Sequence, residues 1–295
     1  MTNLVCFGLG YSARMFGRRR LRDGWQVLGT TRSAERAAAL REEGLEAMLF
    51  SGEAPSADLS ERLRGATHLL LSIAPGSTGD PALIHHRDDI ANAPDLEWIG
   101  YLSTVGVYGD HDGAWVDEET PVKPTSERSV RRVAAEKAWR EFGAETGKCV
   151  QLFRIAGIYG PGRGPLENVR LGKSKRIVKP GQVFNRIHVE DIASILDASI
   201  ASPRAGAIYN VSDNEPAPPQ EVVAYAAELL GVPPPPEIAF EDADLTPMGR
   251  SFYGENKRVS NARIRNELGV ALSFPTYREG IAHEVAALSG EPSQI

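Results

Sequence analysis

Apolar residues in the first half of the chain come in short runs, and between the runs they recur at helical spacing. A run of four to eight apolar residues bounded by turn residues marks a strand buried on both faces. A period of three to four residues marks a helix that covers such a sheet. The pattern predicts strands at 4–8, 26–30, 47–50, 68–73, 98–103 and 150–155. It predicts helices at 13–22, 34–43, 59–63, 84–91 and 129–146, with Asp23-Gly24 and Thr146-Gly147 as helix stops. Strands alternating with helices predict an α/β fold with a doubly wound parallel sheet.

The pattern loosens after Gly160. Glycine, proline and basic residues dominate 161–182, and Ile187-His188-Val189-Glu190-Asp191-Ile192 opens a helix. Ile208-Tyr209-Asn210-Val211 reads as a strand, 218–230 as a helix begun by prolines, and Pro233 to Pro236 as a rigid spacer. The expected division is 1–160 for the sheet domain and 161–295 for a smaller lobe, with 183–212 returning to the first.

Composition narrows the function classes. The chain has 295 residues, 42% of them hydrophobic, enough for a sizeable core. A formal charge of −6 weighs against a dedicated nucleic-acid binder. Two cysteines, Cys6 and Cys149, are too few for a disulfide framework or a zinc site. No run reaches the roughly 18 apolar residues of a membrane span, and the first residues carry no secretory pattern. The expectation is a cytoplasmic protein with a small-molecule partner and neither nucleic acid nor membrane. Nothing in the sequence speaks to oligomeric state.

Candidate chemistry starts at Phe7-Gly8-Leu9-Gly10-Tyr11-Ser12-Ala13-Arg14, which follows the first strand and opens the first helix. There a dinucleotide pyrophosphate meets a helix N-terminus. Gly8 would make the tight turn, Gly10 would let the backbone approach the phosphates, and Ala13 would allow close helix–strand packing, with Tyr11 and Ser12 alongside. The second strand ends Gly29-Thr30-Thr31-Arg32-Ser33, without the acidic residue that usually bonds the ribose hydroxyls of NAD. A guanidinium at Arg32, beside Thr31, can pair with a 2′-phosphate, so NADP is favoured over NAD. The alternative is a solvated arginine at a helix start. Ser72 ends the fourth strand.

Three further segments carry a family resemblance: Gly100-Tyr101-Leu102-Ser103-Thr104-Val105-Gly106-Val107-Tyr108-Gly109, Phe153-Arg154-Ile155-Ala156-Gly157-Ile158-Tyr159-Gly160-Pro161-Gly162-Arg163, and Asn185-Arg186-Ile187-His188-Val189-Glu190-Asp191-Ile192. Together with Tyr209-Asn210-Val211-Ser212, this frame resembles the extended short-chain dehydrogenase/reductases, the NAD-dependent epimerase/dehydratase family. The resemblance spans about residues 3 to 270. It implies a Rossmann-like domain and a substrate lobe, with Thr104 bonding the reacting oxygen of the substrate. It also implies that the backbone at Ser72 lines the adenosine side of the cofactor. In that family a Tyr-x-x-x-Lys pair precedes a Glu by four residues. Counted back from Glu136, its lysine falls on Arg132 and its tyrosine on Arg128. An arginine holds its proton at any working pH, so it cannot take the tyrosine's part in proton transfer.

Under the resemblance Arg132 grips the cofactor's ribose and Arg128 pairs with a carboxylate or phosphate. The bland alternative is two solvated arginines on a basic helix. Tyr101 and Tyr108 are spatial candidates for the missing phenol. The resemblance also sets Tyr108, Arg163 and Arg176 toward the substrate, the last two within a basic run that would meet a nucleotide diphosphate. The resulting expectation is an NADP-binding, atypical oxidoreductase or epimerase acting on a hydroxylated, anionic or nucleotide-sugar substrate. The alternative is a non-catalytic NADP sensor on the same fold.

Overall fold

The computed structural model describes residues 2–290. Seven strands build one sheet: β1 (Asn3–Phe7), β2 (Gln26–Thr31), β3 (Glu46–Leu49), β4 (His68–Leu71), β5 (Trp98–Thr104), β6 (Val150–Ile155) and β7 (Ile208–Val211). Their spatial order is β7-β6-β5-β4-β1-β2-β3. β1 pairs in parallel with β2 and β4, β2 with β3, and β4 with β5. Helices α1 (Tyr11–Arg22), α2 (Ala34–Glu42), α3 (Ala57–Arg64), α4 (Pro81–Ala91) and α5 (Glu127–Thr146) lie between strands in the chain. The expected doubly wound α/β sheet is therefore the fold.

Local chemistry accounts for the boundaries. Every residue of β4 and β6 is buried, as a strand covered on both faces requires. α1 stops at Asp23, and Gly24 follows at φ +82°, a left-handed conformation that glycine adopts without strain. Asp80 caps α4 by accepting the Ala82 N–H at 2.9 Å, with Pro81 behind it. Phe7, Leu69, Leu71, Ile99, Tyr101, Trp139 and Leu152 share one buried cluster.

The chain forms two compact units. The first takes residues up to 104, 127–154 and 192–209; the second takes 105–126, 155–191 and the chain from 210 on. Against the expected division, segments 105–126, 155–160, 183–191 and 210–212 fall in the second unit, while 192–209 lies in the first, inside the expected return. Within the second unit, three short strand pairs run parallel: Gly157–Tyr159 with Arg186–His188, Arg176–Val178 with Glu237–Ala239, and Trp115–Val116 with Arg258–Val259. Helices Pro219–Leu229 and Tyr277–Ser289 pack Val222, Ala226, Tyr277 and Ile281 against Tyr159 and Leu166. Asp191 accepts the N–H groups of Ser273 and Phe274, at 2.7 and 3.0 Å, and so fixes the approach to the last helix. Among the described residues no helix is long and apolar enough to cross a membrane.

Two buried carboxyls in the second unit couple its stability to pH. Burial pushes Glu284 up to about 7, with Glu167 adding to the shift, and burial pushes Asp213 up to about 8. A carboxyl whose folded pKa is raised binds its proton more tightly in the folded state. Its stabilising contribution is complete below the unfolded pKa and is lost as pH rises through the folded value. Stability should therefore fall between about pH 5 and pH 8 in urea titrations, and Glu284→Gln should flatten the part of that slope between about pH 5 and pH 7. A wild-type urea midpoint that rises over this range would contradict the assignment.

Candidate functional site

The turn after β1 is built by residues from three strands. Gly8 has φ +87°, and a Cβ there would lie 2.6 Å from Ile73 Cγ2 and 3.2 Å from the Ile73 nitrogen. Its N–H donates to Thr30 Oγ1 at 2.9 Å, and the Leu9 N–H donates to the Thr30 carbonyl at 2.8 Å. A Cβ on Gly29 would meet Leu9 at 2.7 Å. Gly29 and Thr30 thus seat the loop from β2. Their local sequence shows only a strand, so their part in seating the loop is not legible from it.

Gly10 is different. It precedes α1 at φ −81°, ψ −164°, a conformation open to any residue, and a Cβ there would meet nothing within 4 Å. The fold does not require glycine at this point; the space in front of it is open. α1 has no capping side chain and no acidic residue in its first turn. The positive end of its dipole therefore lacks a local counter-charge, which suits an anion. Ala13 is fully buried, Ser12 is buried and Tyr11 is half-buried.

This turn lies where the sheet order reverses, because the chain leaves β1 toward β2 on one side and returns to β4 on the other. Ligands of doubly wound sheets bind at such a point, outside the strands' carboxyl ends. The Ser72 N–H donates to the Phe7 carbonyl at 2.9 Å, which keeps the chain after β4 beside the glycine turn. Thr31 is half-buried at the end of β2. Arg32 follows it, exposed, and makes no hydrogen bond or ion pair among the described residues. The neighbouring Ser33 caps α2 by accepting the Arg36 N–H.

α5 brings Arg132 to the same strand ends. Its Nη1 donates to the Leu102 carbonyl at 2.9 Å and to Tyr101 Oη at 3.0 Å, and reaches the Ile73 carbonyl at 3.5 Å. Ile73 thus touches both the glycine turn and Arg132. Thr104 ends β5 half-buried, and Arg128 is exposed one turn before Arg132 on α5. Tyr101 is fully buried, and burial raises its phenol above the ordinary range despite the Arg132 charge beside it. Asp80, also buried, is raised by the same cause, with Arg132 acting the other way. One turn past Arg132, Glu136 is gripped by Arg154 through Nε and Nη2, at 3.2 and 2.8 Å, and accepts the Ser103 hydroxyl.

In the second unit two of the candidates are engaged by protein groups. Tyr108 is fully buried and donates to Asn210 Oδ1 at 2.7 Å. Arg176 bridges its strand pair by donating to Glu237 Oε1 at 2.7 Å and to the Pro235 carbonyl at 3.2 Å. Arg163 is exposed in a turn whose backbone pairs with Gly160. The basic run around it is largely engaged: Arg170 bonds Glu167, Lys175 bonds the Asp244 carbonyl, and Lys179 bonds the Tyr253 carbonyl. His188 is buried against Phe274 and Tyr159, and burial pushes it down to about 3, which makes it a neutral packing residue. Tyr101 and Tyr108 are both fully buried.

Comparison with known proteins bears on this geometry. The model of the NAD dependent epimerase/dehydratase family matches residues 89–212, which contain β5, α5 and β6. A solved conserved protein of unknown function from Silicibacter pomeroyi DSS is 53% identical, with 98% of this chain and 99% of that one covered and a TM-score of 0.88. Over residues 89–212 the chain is similar to the NAD dependent epimerase/dehydratase family. It is also 28% identical to Protein YeeZ of Escherichia coli K12, over 93% of this chain and 97% of YeeZ. The dTDP-glucose 4,6-dehydratase of Bacillus anthracis, solved in complex with NAD, shares the epimerase/dehydratase fold at a TM-score of 0.78. Its identity is 18%, over 98% of this chain and 97% of that one.

Proposed function

We propose that the chain is an NADP-binding, atypical member of the epimerase/dehydratase family, in which arginines occupy the positions of the proton-transferring tyrosine and its lysine. The observation that carries this reading is the open, acid-free start of α1 at Gly10, joined through Ile73 to Arg132. The residues fit a dinucleotide. A side chain at Gly10 would fill space that the protein leaves empty, and Arg32 offers a guanidinium where an NAD-selective site would carry a carboxylate. Gly8, Gly10, Tyr11, Ser12 and Ala13 would hold the pyrophosphate, Thr31 and Arg32 the 2′-phosphate, Ser72 the adenosine side, and Arg132 the ribose next to the nicotinamide. NADP supplies a hydride donor or acceptor when bound.

Thr104 would orient a substrate hydroxyl or carbonyl, and Arg128 would hold an anionic group of the substrate. Arg163, exposed in the second unit, is a candidate for an anionic group there. A permanent guanidinium charge stabilises developing negative charge without changing its own protonation. The burial of Tyr101 and Tyr108 favours a second reading, an NADP sensor without turnover, because it removes both candidate replacement acids.

The test is NADPH oxidation across a panel of carbonyl compounds and nucleotide sugars. Arg128→Ala should lower turnover by about tenfold or more, the equivalent of one lost charge-assisted bond. The wild-type profile should show no general-acid limb between about pH 6 and pH 9. Tight NADPH binding with no turnover on the whole panel would favour the sensor. Undiminished turnover in Arg128→Ala would return that arginine to a solvated helix charge.

A further inference from the structure

We propose that Tyr101 is a positioning residue for Arg132: its buried hydroxyl anchors one end of the guanidinium so that the other end presents a fixed fork to the dinucleotide. The proposal rests on the reading above, in which Arg132 faces the cofactor. Its basis is how the bonds are distributed. All three acceptors, Tyr101 Oη, the Leu102 carbonyl and the Ile73 carbonyl, are engaged by the single nitrogen Nη1. Nε and Nη2 have no hydrogen-bond partner among the described residues. A guanidinium is planar, so fixing Nη1 leaves only rotation about that end. The free Nε–Nη2 edge is the side-on face that bonds two oxygens at once, whether of a ribose diol or of an oxyanion.

Tyr101 is suited to this task because it does not move. It lies within β5, is fully buried, and its ring sits 6.5 Å, centroid to centroid, from that of Trp139. The Arg132 guanidinium carbon is 5.5 Å from the Tyr101 ring centroid, so the ring face adds a cation–π contact to the hydrogen bond. The two carbonyl acceptors belong to the backbone of any residue; the hydroxyl is the one anchor that depends on the side chain. The guanidinium carries its donors in a rigid planar fork, so an anchor at one nitrogen orients the others with it.

The test uses two probes on the full chain. NADPH spans both halves of the site, whereas 2′,5′-ADP carries only the adenosine half. Both are titrated by calorimetry into wild type, Tyr101→Phe, Arg132→Met and the double variant, each checked for folding by its melting transition. Tyr101→Phe should weaken NADPH by about fivefold or more, within the range of one hydrogen bond to a charged group, and leave 2′,5′-ADP within about twofold of wild type. In the Arg132→Met background, Tyr101→Phe should add nothing further. An equal loss for both probes, or the same loss of NADPH in both backgrounds, would mean that the hydroxyl serves the scaffold and would overturn the proposal. So would an unchanged NADPH affinity in Tyr101→Phe while Arg132→Met weakens it. NADPH binding that survives Arg132→Met would instead overturn the underlying reading of Arg132, and the proposal with it.

Discussion

Gly10→Val is expected to yield a folded protein that no longer binds a dinucleotide. The separation of the two effects follows from local geometry. Gly10 has an extended backbone that valine adopts readily, and a Cβ there meets no protein atom within 4 Å. The melting transition should therefore stay close to that of the wild type. The branched side chain would occupy the space through which a pyrophosphate reaches the N–H groups at the start of α1. Losing two charge-assisted bonds, at about 1.5–3 kcal/mol each, weakens binding by about a hundredfold or more. Calorimetric titration with NADPH checks this. Undiminished binding by folded Gly10→Val would mean that the dinucleotide lies elsewhere. Gly8 would not separate the effects so cleanly, because its positive φ and its contact with Ile73 make it a folding residue as well.

The largest effect on stability is expected at the buried pair Glu136–Arg154. Both side chains are almost wholly out of solvent, at 5% and 6% exposure, so neither charge can be rehydrated when its partner is removed. Arg154→Met should cost about 3–5 kcal/mol, because it leaves the Glu136 carboxylate buried with, among the described residues, only the Ser103 hydroxyl. Glu136→Leu should cost a similar amount by removing the guanidinium's buried counter-charge. The double variant should recover much of the loss, since two apolar groups replace two charges that are expensive to bury. Urea unfolding of the four proteins gives the coupling. Strictly additive losses would show that the pair does not act as a unit.

The sheet was legible because it is buried on both faces. β1 to β6 read as continuous apolar runs between turn residues, and their observed ends fall within two residues of the expected ones. The strand pairs of the second unit were not legible: two or three residues, as in Trp115–Val116 and Arg176–Val178, are too few to show a period. The glycine turn could be read because a turn is a local object and its glycines carry the signal. The surroundings of Arg132 could not. Its acceptors lie 30, 31 and 59 residues upstream in the chain, and only the sheet brings them together. The partner of Tyr108 was illegible for the same reason. Tyr108 sits just past a strand end, where ligands bind, but its hydroxyl is claimed by Asn210, 102 residues away. Arg176 looked like an available cation in a basic run, yet its partner Glu237 lies 61 residues further on. Charge along a sequence shows how many cations a segment has; the long-range fold decides which of them remain unpaired.

The central claim is that this chain binds a dinucleotide through the glycine turn and prefers the phosphorylated form through Arg32. The most direct test is paired calorimetric titration of NADPH and NADH into wild type and Arg32→Ala. The account predicts that wild type binds NADPH about tenfold or more tightly than NADH, the equivalent of one charge-assisted pairing with the 2′-phosphate. It also predicts that Arg32→Ala removes this preference by weakening NADPH and leaving NADH nearly unchanged. Equal affinity of wild type for the two cofactors, or a preference that survives Arg32→Ala, would contradict it.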